Sequence, residues 1–210
     1  KIYLSQEIVD KYPNYLNFDY EIYSNKNLKY TKDFYYYIQY NNSLIKTPFL
    51  IKKQLSSLAI AIEIAEELKV SKQKIPFLIS TIEIPQRRLN CYQYDNFLVI
   101  DNSYNGNLEG IKEILESIKD DNRYKIALTG GLIELGKKYT DYNIILGEKL
   151  NVMDKVFLIS NDKNHPLEKY LKSEKLIKVN SYIEAFQELK QYQEESILLL
   201  LSKGSNVFLQ

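Results

Sequence analysis

The second half of the chain repeats one pattern, in which a short apolar run is followed by a loop and then by a segment with helical periodicity. The apolar runs lack polar alternation, as is typical of strands covered on both faces, and they span 97–100, 125–128, 155–159, 176–179 and 197–201. Helices are predicted between them, on Leu108, Ile111, Leu115 and Ile118, on Tyr142, Ile145 and Leu150, after Pro166, and from Ser181. This alternation predicts an α/β fold with a doubly wound, mostly parallel sheet.

The first half is organised differently. Weak alternation between Phe34 and Tyr40 predicts short antiparallel strands around a turn at Asn41-Asn42. Apolar residues at three- and four-residue spacing predict a helix over 54–69, and alternation over 90–94 predicts a hairpin strand. We therefore place a domain boundary near Phe97, which gives two domains, 1–97 and 98–210.

Composition excludes several classes of protein. Lys and Arg number 28 against 27 Asp and Glu, so the net charge of +1 lacks the basic excess expected of a nucleic-acid-binding protein. The longest aliphatic run has five residues, whereas a membrane span needs roughly 20, so no membrane insertion is expected. One cysteine, Cys91, precludes an intramolecular disulfide and indicates a cytoplasmic protein. The single histidine, His165, stands before a proline and is expected to be an exposed turn residue without a metal.

Three loops follow predicted strands and would lie at one edge of the sheet, where ligands of parallel sheets bind. The first loop spans 101–107, the second 129–136 and the third 202–206. Gly130-Gly131 would allow a ligand to approach the backbone, and Lys203 with Ser205 could hold a carboxylate or phosphate. The alternative is that Asp, Asn and Gly serve here only to form turns, with Asp101 capping a helix that begins near Asn107.

These loops carry a resemblance to a known family. The first loop reads Asp-Asn-Ser-Tyr-Asn-Gly-Asn, and Pro85-Gln86-Arg87 precedes it; the second reads Thr-Gly-Gly-Leu-Ile-Glu-Leu-Gly, with Gly147 eleven residues further on; the third begins Ser-Lys-Gly-Ser. In order and spacing these motifs resemble those of the Mur ligase family, in the branch that adds D-alanyl-D-alanine to a UDP-N-acetylmuramoyl tripeptide. Folate and cyanophycin ligases of the same superfamily match the Ser-Tyr-Asn and Lys-Gly-Ser motifs less well.

The resemblance implies an enzyme in which ATP phosphorylates a carboxylate and an amine then displaces the phosphate, forming an amide. Residues 1–97 would be the C-terminal part of the central ATPase domain, and 98–210 the Rossmann-like C-terminal domain. The phosphate-binding loop and the catalytic groups would lie upstream, so ATP and Mg²⁺ would be bound mainly outside this chain. We expect the chain to be an incomplete part of a ligase whose substrates are a UDP-N-acetylmuramoyl peptide and D-alanyl-D-alanine.

The resemblance also assigns roles to particular residues. Those expected to contact the nucleotide are Arg87, Asp101, Asn102, Tyr104 and Asn105. Those expected to contact the amino substrate are Lys203 and Ser205. Arg88 is expected to be a bystander, Glu134 to support its loop by accepting backbone amides, and Cys91 to serve packing.

Five positions depart from the family pattern. An aspartate is replaced by Asn102, an asparagine by Ser56, an aspartate by Gly131, a histidine by Asn143 and the closing arginine by Asn206. Loss of the acid at Asn102 removes a charge expected to hold a ribose hydroxyl. The alternative to an active ligase is therefore a catalytically inert, ligase-like domain with a binding or interaction role.

Overall fold

The chain forms two compact units, Lys1–Glu83 and Ile84–Gln210, in a computed structural model that describes residues 2–16, 18–23, 28–104 and 106–201. In the first unit, β1 (Tyr3–Ser5) pairs in parallel with β2 (Glu21–Tyr23), and α1 (Gln6–Lys11) follows β1. Strands β3 (Lys29–Lys32), β4 (Tyr36–Tyr40) and β5 (Ser43–Lys46) form an antiparallel sheet. The helices are α2 (Lys52–Glu67) and α3 (Ile75–Ser80).

The predicted turn and helix of this unit are confirmed. Asn41 and Asn42 have φ values of 46° and 62°, the left-handed conformation that a two-residue hairpin turn requires. Helix α2 buries Leu55, Leu58 and Ile62 on one face. The sequence analysis did not predict α3, in which Pro76 occupies one of the first helical positions, where its missing N–H has no intrahelical partner to lose.

The second unit is built on one sheet. Among the described residues its strands lie in the order β10 (Leu176–Val179), β9 (Lys155–Ile159), β8 (Tyr124–Thr129), β11 (Ser196–Leu200), β7 (Phe97–Asp101) and β6 (Asn90–Tyr94). Only the β6–β7 pair is antiparallel in this sheet. The predicted α/β class with a mostly parallel sheet is thereby confirmed.

Helices α4 (Leu108–Ile118), α5 (Tyr139–Lys149) and α6 (Tyr182–Leu189) connect the parallel strands. Connections between parallel strands are right-handed. A connecting helix therefore lies on one face of the sheet when the chain moves along the strand order in one direction, and on the other face when the chain moves back. Accordingly, α6 buries Ala185 and Leu189 in one core cluster with Val99, Leu128 and Phe157. Ile100, Ala127 and Leu199, which alternate with members of that cluster along their strands, are fully buried as well, so both faces of the sheet are covered.

The division between the two compact units differs from the predicted boundary. It falls between Glu83 and Ile84, whereas the sequence analysis placed it near Phe97. The reason is that β6 pairs along its whole length with β7 and is therefore an edge strand of the second unit. No helix in the described part of the chain is long and apolar enough to cross a membrane.

Candidate functional site

The first two loops begin at the carboxyl edge of the sheet, and strand β11 ends between them. Strand β11 lies between β7 and β8, and Leu200 is in register with both Asp101 and Leu128. The backbone continues this pairing beyond the strands, because Asn102 N–H donates to the Leu200 carbonyl at 3.0 Å and Leu201 N–H to the Leu128 carbonyl at 3.0 Å. These hydrogen bonds thus hold the starts of the first and second loops next to Leu200 and Leu201 at the end of β11.

The first loop is organised by Asp101 and Arg87. Asp101 is 2% exposed, and its Oδ1 accepts the N–H of Ser103 at 3.0 Å. The guanidinium of Arg87 donates from Nε to Ser103 Oγ at 3.2 Å, while the Arg87 carbonyl accepts the N–H of Tyr104 at 3.0 Å. The sequence analysis expected Arg87 and Asp101 to lie together, and in the structure Ser103 joins them.

The charge of Asp101 also acts on a neighbouring strand. Burial and, to a smaller extent, the Asp101 carboxylate raise the pKa of Tyr92 on β6 to about 12. Asp101 does not cap helix α4, because Asn107 occupies the N-cap and its Oδ1 accepts the N–H of Gly110 at 2.8 Å. The alternative role of Asp101 as a cap for that helix is therefore wrong.

Arg88, which was expected to be a bystander of nucleotide binding, contacts the first loop. Its guanidinium carbon lies 4.2 Å from the centroid of the Tyr104 ring, a cation–π distance. Tyr104 is 46% exposed, so the pair stands at the surface of the loop. Two consecutive arginines therefore contact two consecutive loop residues, Arg87 reaching Ser103 and Arg88 reaching Tyr104.

The side chain of Asn143, on α5, holds the second loop through hydrogen bonds. Asn143 is fully buried; its Oδ1 accepts the N–H of Leu132 at 2.7 Å, and its Nδ2 donates to the Leu132 carbonyl at 2.9 Å and to the Tyr139 carbonyl at 2.9 Å. Gly131 N–H donates to Thr129 Oγ1 at 3.0 Å. One amide side chain thus satisfies both polar groups of Leu132, so the departure at Asn143 is accommodated structurally.

The departure at Gly131 has a steric reason. Gly131 has a φ of 79°, and a Cβ at this position would lie 2.6 Å from Asn143 Oδ1 and 2.8 Å from His165 Cε1. Both atoms belong to buried side chains that cannot easily move. Glycine is therefore required at 131 as long as Asn143 and His165 occupy their places.

The prediction that His165 is exposed is wrong. The turn around Pro166 exists, yet His165 is 4% exposed, and its Nδ1 accepts the N–H of Leu167 at 3.2 Å. Its Nε2 lies 3.1 Å from the hydroxyl of Tyr139. Because Nδ1 accepts, the neutral ring carries its proton on Nε2 and donates it to Tyr139. Desolvation lowers the pKa of His165, against the opposing charges of Asp162 and Glu168.

The first two loops enclose a cavity of about 210 Å³, here called the carboxyl-edge cavity. Ser103, Tyr104 and Gly106 line one side and residues 130–134 the other. The lining is completed by Ile159, Tyr182 and Leu201. Glu134 is exposed at its rim, with a φ of 62°. The predicted meeting of the first two loops is thereby observed.

Other predicted site residues lie elsewhere. Asn105, Lys203, Ser205 and Asn206 lie outside the described residues. Ser56 is on α2, in the first unit. Within the described ranges, no group of three or more His, Cys, Asp or Glu side chains is arranged to hold a metal ion.

Comparison with known proteins supports the resemblance in sequence. No protein-family model matches the chain. Over 120 residues, which are 56% of the chain, it is 28% identical to the UDP-N-acetylmuramoyl-tripeptide–D-alanyl-D-alanine ligase of Buchnera aphidicola subsp. Acyrthosiphon pisum (strain APS). The match covers 26% of that ligase.

Solved structures that share the fold include Mur ligases. MurF ligase from Thermotoga maritima, solved in complex with ADP, superposes on 97% of the chain with a TM-score of 0.74 and 19% identity. MurF from Acinetobacter baumannii covers 96% with a TM-score of 0.73 and 21% identity. The chain spans 50% and 48% of these proteins, about half their length. These matches confirm the predicted resemblance to the Mur ligases, in the D-alanyl-D-alanine-adding branch.

Proposed function

We propose that the chain is the C-terminal portion of an ATP-dependent amide ligase that adds D-alanyl-D-alanine to a UDP-N-acetylmuramoyl tripeptide in the cytoplasm. One observation carries this proposal: Ser103 is hydrogen-bonded to both Arg87 and Asp101. This group lies beside the second loop, at the edge where parallel sheets bind ligands. The sequence match to a ligase of that name and the fold shared with an ADP-bound MurF ligase support it.

In the proposed reaction a carboxylate oxygen of the tripeptide attacks the γ-phosphorus of ATP, and ADP leaves. The amine of the dipeptide then attacks the acyl carbon, loses a proton and releases phosphate.

We assign nucleotide contacts to Arg87, Asp101, Asn102, Tyr104 and Asn105. We assign the amino substrate to Lys203 and Ser205, whose ammonium and hydroxyl suit a carboxylate. The catalytic groups and most Mg²⁺ and phosphate contacts are assigned to a part of the ligase outside this chain.

The test is ligation by the full-length protein that carries this chain. Incubation with the UDP-linked tripeptide, D-alanyl-D-alanine, ATP and Mg²⁺ should yield one phosphate per ligated product, measured by phosphate release and mass spectrometry. Omission of the dipeptide should abolish product formation. Absence of product under conditions in which a MurF ligase is active would reject the proposal.

Two variants test the nucleotide assignment. Arg87→Ala should raise the KM for ATP at least about tenfold, because a charge-assisted contact contributes roughly 1.5–3 kcal/mol. The control is Arg123→Ala, which removes an arginine paired with Asp121 before strand β8, at the other edge of the same sheet. Asn102→Asp should lower the KM for ATP by restoring the family's acid. Unchanged ATP kinetics in both test variants would overturn the assignment.

Lys203 is tested through the other substrate. Lys203→Met should raise the KM for D-alanyl-D-alanine by about 10- to 100-fold and leave that for ATP nearly unchanged. Unaltered dipeptide kinetics would remove Lys203 from the site.

The second candidate is an inert, ligase-like binding domain, and Asn102 is the observation that favours it, since an amide cannot replace the charge of the family's acid. In that case the full-length protein would retain ligand binding, detectable by calorimetry with ADP, without forming product. The ligation assay therefore distinguishes the two candidates directly.

A further inference from the structure

A buried polar network lies directly behind one wall of the carboxyl-edge cavity. Asn143 holds the Leu132 peptide groups from α5, and the ring of His165 lies against Gly131, with Cε1 and Nε2 occupying the space that a Cβ would need. Tyr139 connects the two, because its carbonyl accepts from Asn143 at 2.9 Å and its hydroxyl meets His165 Nε2 at 3.1 Å. The network reaches the wall from two distant segments of the chain.

Hydrogen bonds hold this wall on the side away from the cavity. The amides of Gly131 and Leu132 are both turned inward, to Thr129 and Asn143, so the opposite side of residues 130–134 faces the cavity. A displacement of His165 would let Gly131, at a φ of 79°, relax toward the space that the ring occupies. The position of the wall therefore depends on a ring that does not itself line the cavity.

We propose that His165 and Tyr139 are positioning residues of the carboxyl-edge cavity: the His165 ring packs against Gly131, and the Tyr139 hydroxyl holds that ring in place. The role of the cavity in nucleotide or substrate binding rests on the proposed function, whereas the support of the wall does not. His165 has a second role, since its Nδ1 caps the short turn Pro166–Lys169. A test must separate capping from positioning.

The variant His165→Asn makes this separation. The Asn Oδ1 takes the place of Nδ1 and still accepts the N–H of Leu167, as asparagine does at N-caps, while the part of the ring against Gly131 and Tyr139 is lost. Tyr139→Phe removes only the hydroxyl. The matched control is Asn96→Ala, because Asn96 Nδ2 donates to the carbonyls of Tyr192 and Glu194 near the amino ends of the same sheet.

The measurement is amide hydrogen exchange followed by NMR on the 210-residue chain, with Ile126 in strand β8 as the reference for global opening. Exchange at Gly131 and Leu132 should accelerate about tenfold or more in His165→Asn, and by less in Tyr139→Phe, relative to Ile126. In Asn96→Ala the ratio should stay unchanged. Equal acceleration at Leu132 and Ile126 in His165→Asn would reduce His165 to a stabilising residue and overturn the proposal.

The pH dependence of amide exchange at Leu132, relative to Ile126, distinguishes a positioning role of His165 from a purely structural one. Protonation at Nδ1 would oppose the N–H of Leu167, and the charged groups that act on the ring are Asp162, Glu168 and Lys178, with the Tyr139 hydroxyl beside it. Relative exchange at Leu132 should therefore increase below pH 6.5 in the wild type and stay flat in His165→Asn. A flat wild-type profile would contradict the proposal. If exchange follows the prediction but ADP does not bind, the nucleotide site fails and the positioning role stands.

Discussion

Gly131, in the wall of the carboxyl-edge cavity, leaves no room for a side chain. Gly131→Ala should lower the free energy of unfolding by about 3 kcal/mol or more, because a left-handed φ and a close contact with two buried side chains both oppose a Cβ. Gly136 is the matched control, since its φ is 52° and a Cβ there would meet no atom within 4 Å. Gly136→Ala should cost only about 1 kcal/mol. Urea denaturation of the two variants measures the difference, and equal losses would show that the packing around Gly131 is soft.

His165 gives the second unit a predictable response to pH. Its pKa is lowered in the folded chain by burial, so the unfolded chain binds the proton more readily. The stabilisation is complete above the ordinary pKa near 6.5 and is lost as pH falls below it toward the lower folded pKa. The free energy of unfolding of the wild type should therefore fall more between pH 7.5 and 5 than that of His165→Asn. Parallel pH curves in urea denaturation would refute this linkage.

Burial of individual loop residues was the least predictable feature of the site. Asn164-His165-Pro166 indicated a turn, and the turn is present, but burial of the ring depends on Tyr139, 26 residues earlier in the chain. Asn143 stood out only as a departure from a family pattern, and its three hydrogen bonds follow from the packing of α5 against the second loop. No local pattern signals such contacts, because they depend on how separate elements pack.

At the scale of single elements, helix α4 offers a direct test of local sequence control. Asn107→Ala should lower the free energy of unfolding by about 1 kcal/mol, since it removes the acceptor for the N–H of Gly110. Asn107→Gly should cost only a few tenths of a kcal/mol, because glycine is itself tolerated at the N-cap. Thermal denaturation of both variants provides the comparison. A larger loss for Asn107→Gly than for Asn107→Ala would contradict the capping role.

Elements were predictable where the hydrophobic pattern was strong. The strands over 155–159 and 176–179 have the predicted bounds, because uninterrupted apolar runs between turns are typical of buried parallel strands. Helix α6 begins after Ser181, as predicted, and the Ser181 Oγ accepts the N–H of Glu184 at 3.2 Å. Helix α3 was not predicted; it spans only six residues, and Pro76 lies in its first turn, where proline is compatible with a helix.

At the scale of the whole molecule, the predicted and observed divisions differ by the segment 84–96, which contains the single strand β6. The change of rhythm near Phe97 marks the start of the parallel part of the sheet, but β6 precedes it and adds an antiparallel edge. Hydrogen bonding between neighbouring strands, which single-strand patterns do not reveal, decided to which unit 84–96 belongs. The assignment of the two units to particular Mur ligase domains stays a prediction.

The whole chain should not turn over ATP by itself. No glycine precedes Gly106, so a glycine-rich phosphate loop could lie only in the second half, where Gly131 to Lys138 reads Gly-Leu-Ile-Glu-Leu-Gly-Lys-Lys between a strand and a helix. This spacing approaches that of a P-loop, but Lys138 replaces the Ser or Thr that binds Mg²⁺. The amides of Gly131 and Leu132 already donate to Thr129 and Asn143, so they are not available to phosphate oxygens. Phosphate release from ATP and Mg²⁺ should therefore equal background in the wild type and in Lys137→Ala. Turnover that the wild type shows and Lys137→Ala loses would mean that the second loop binds phosphate after all.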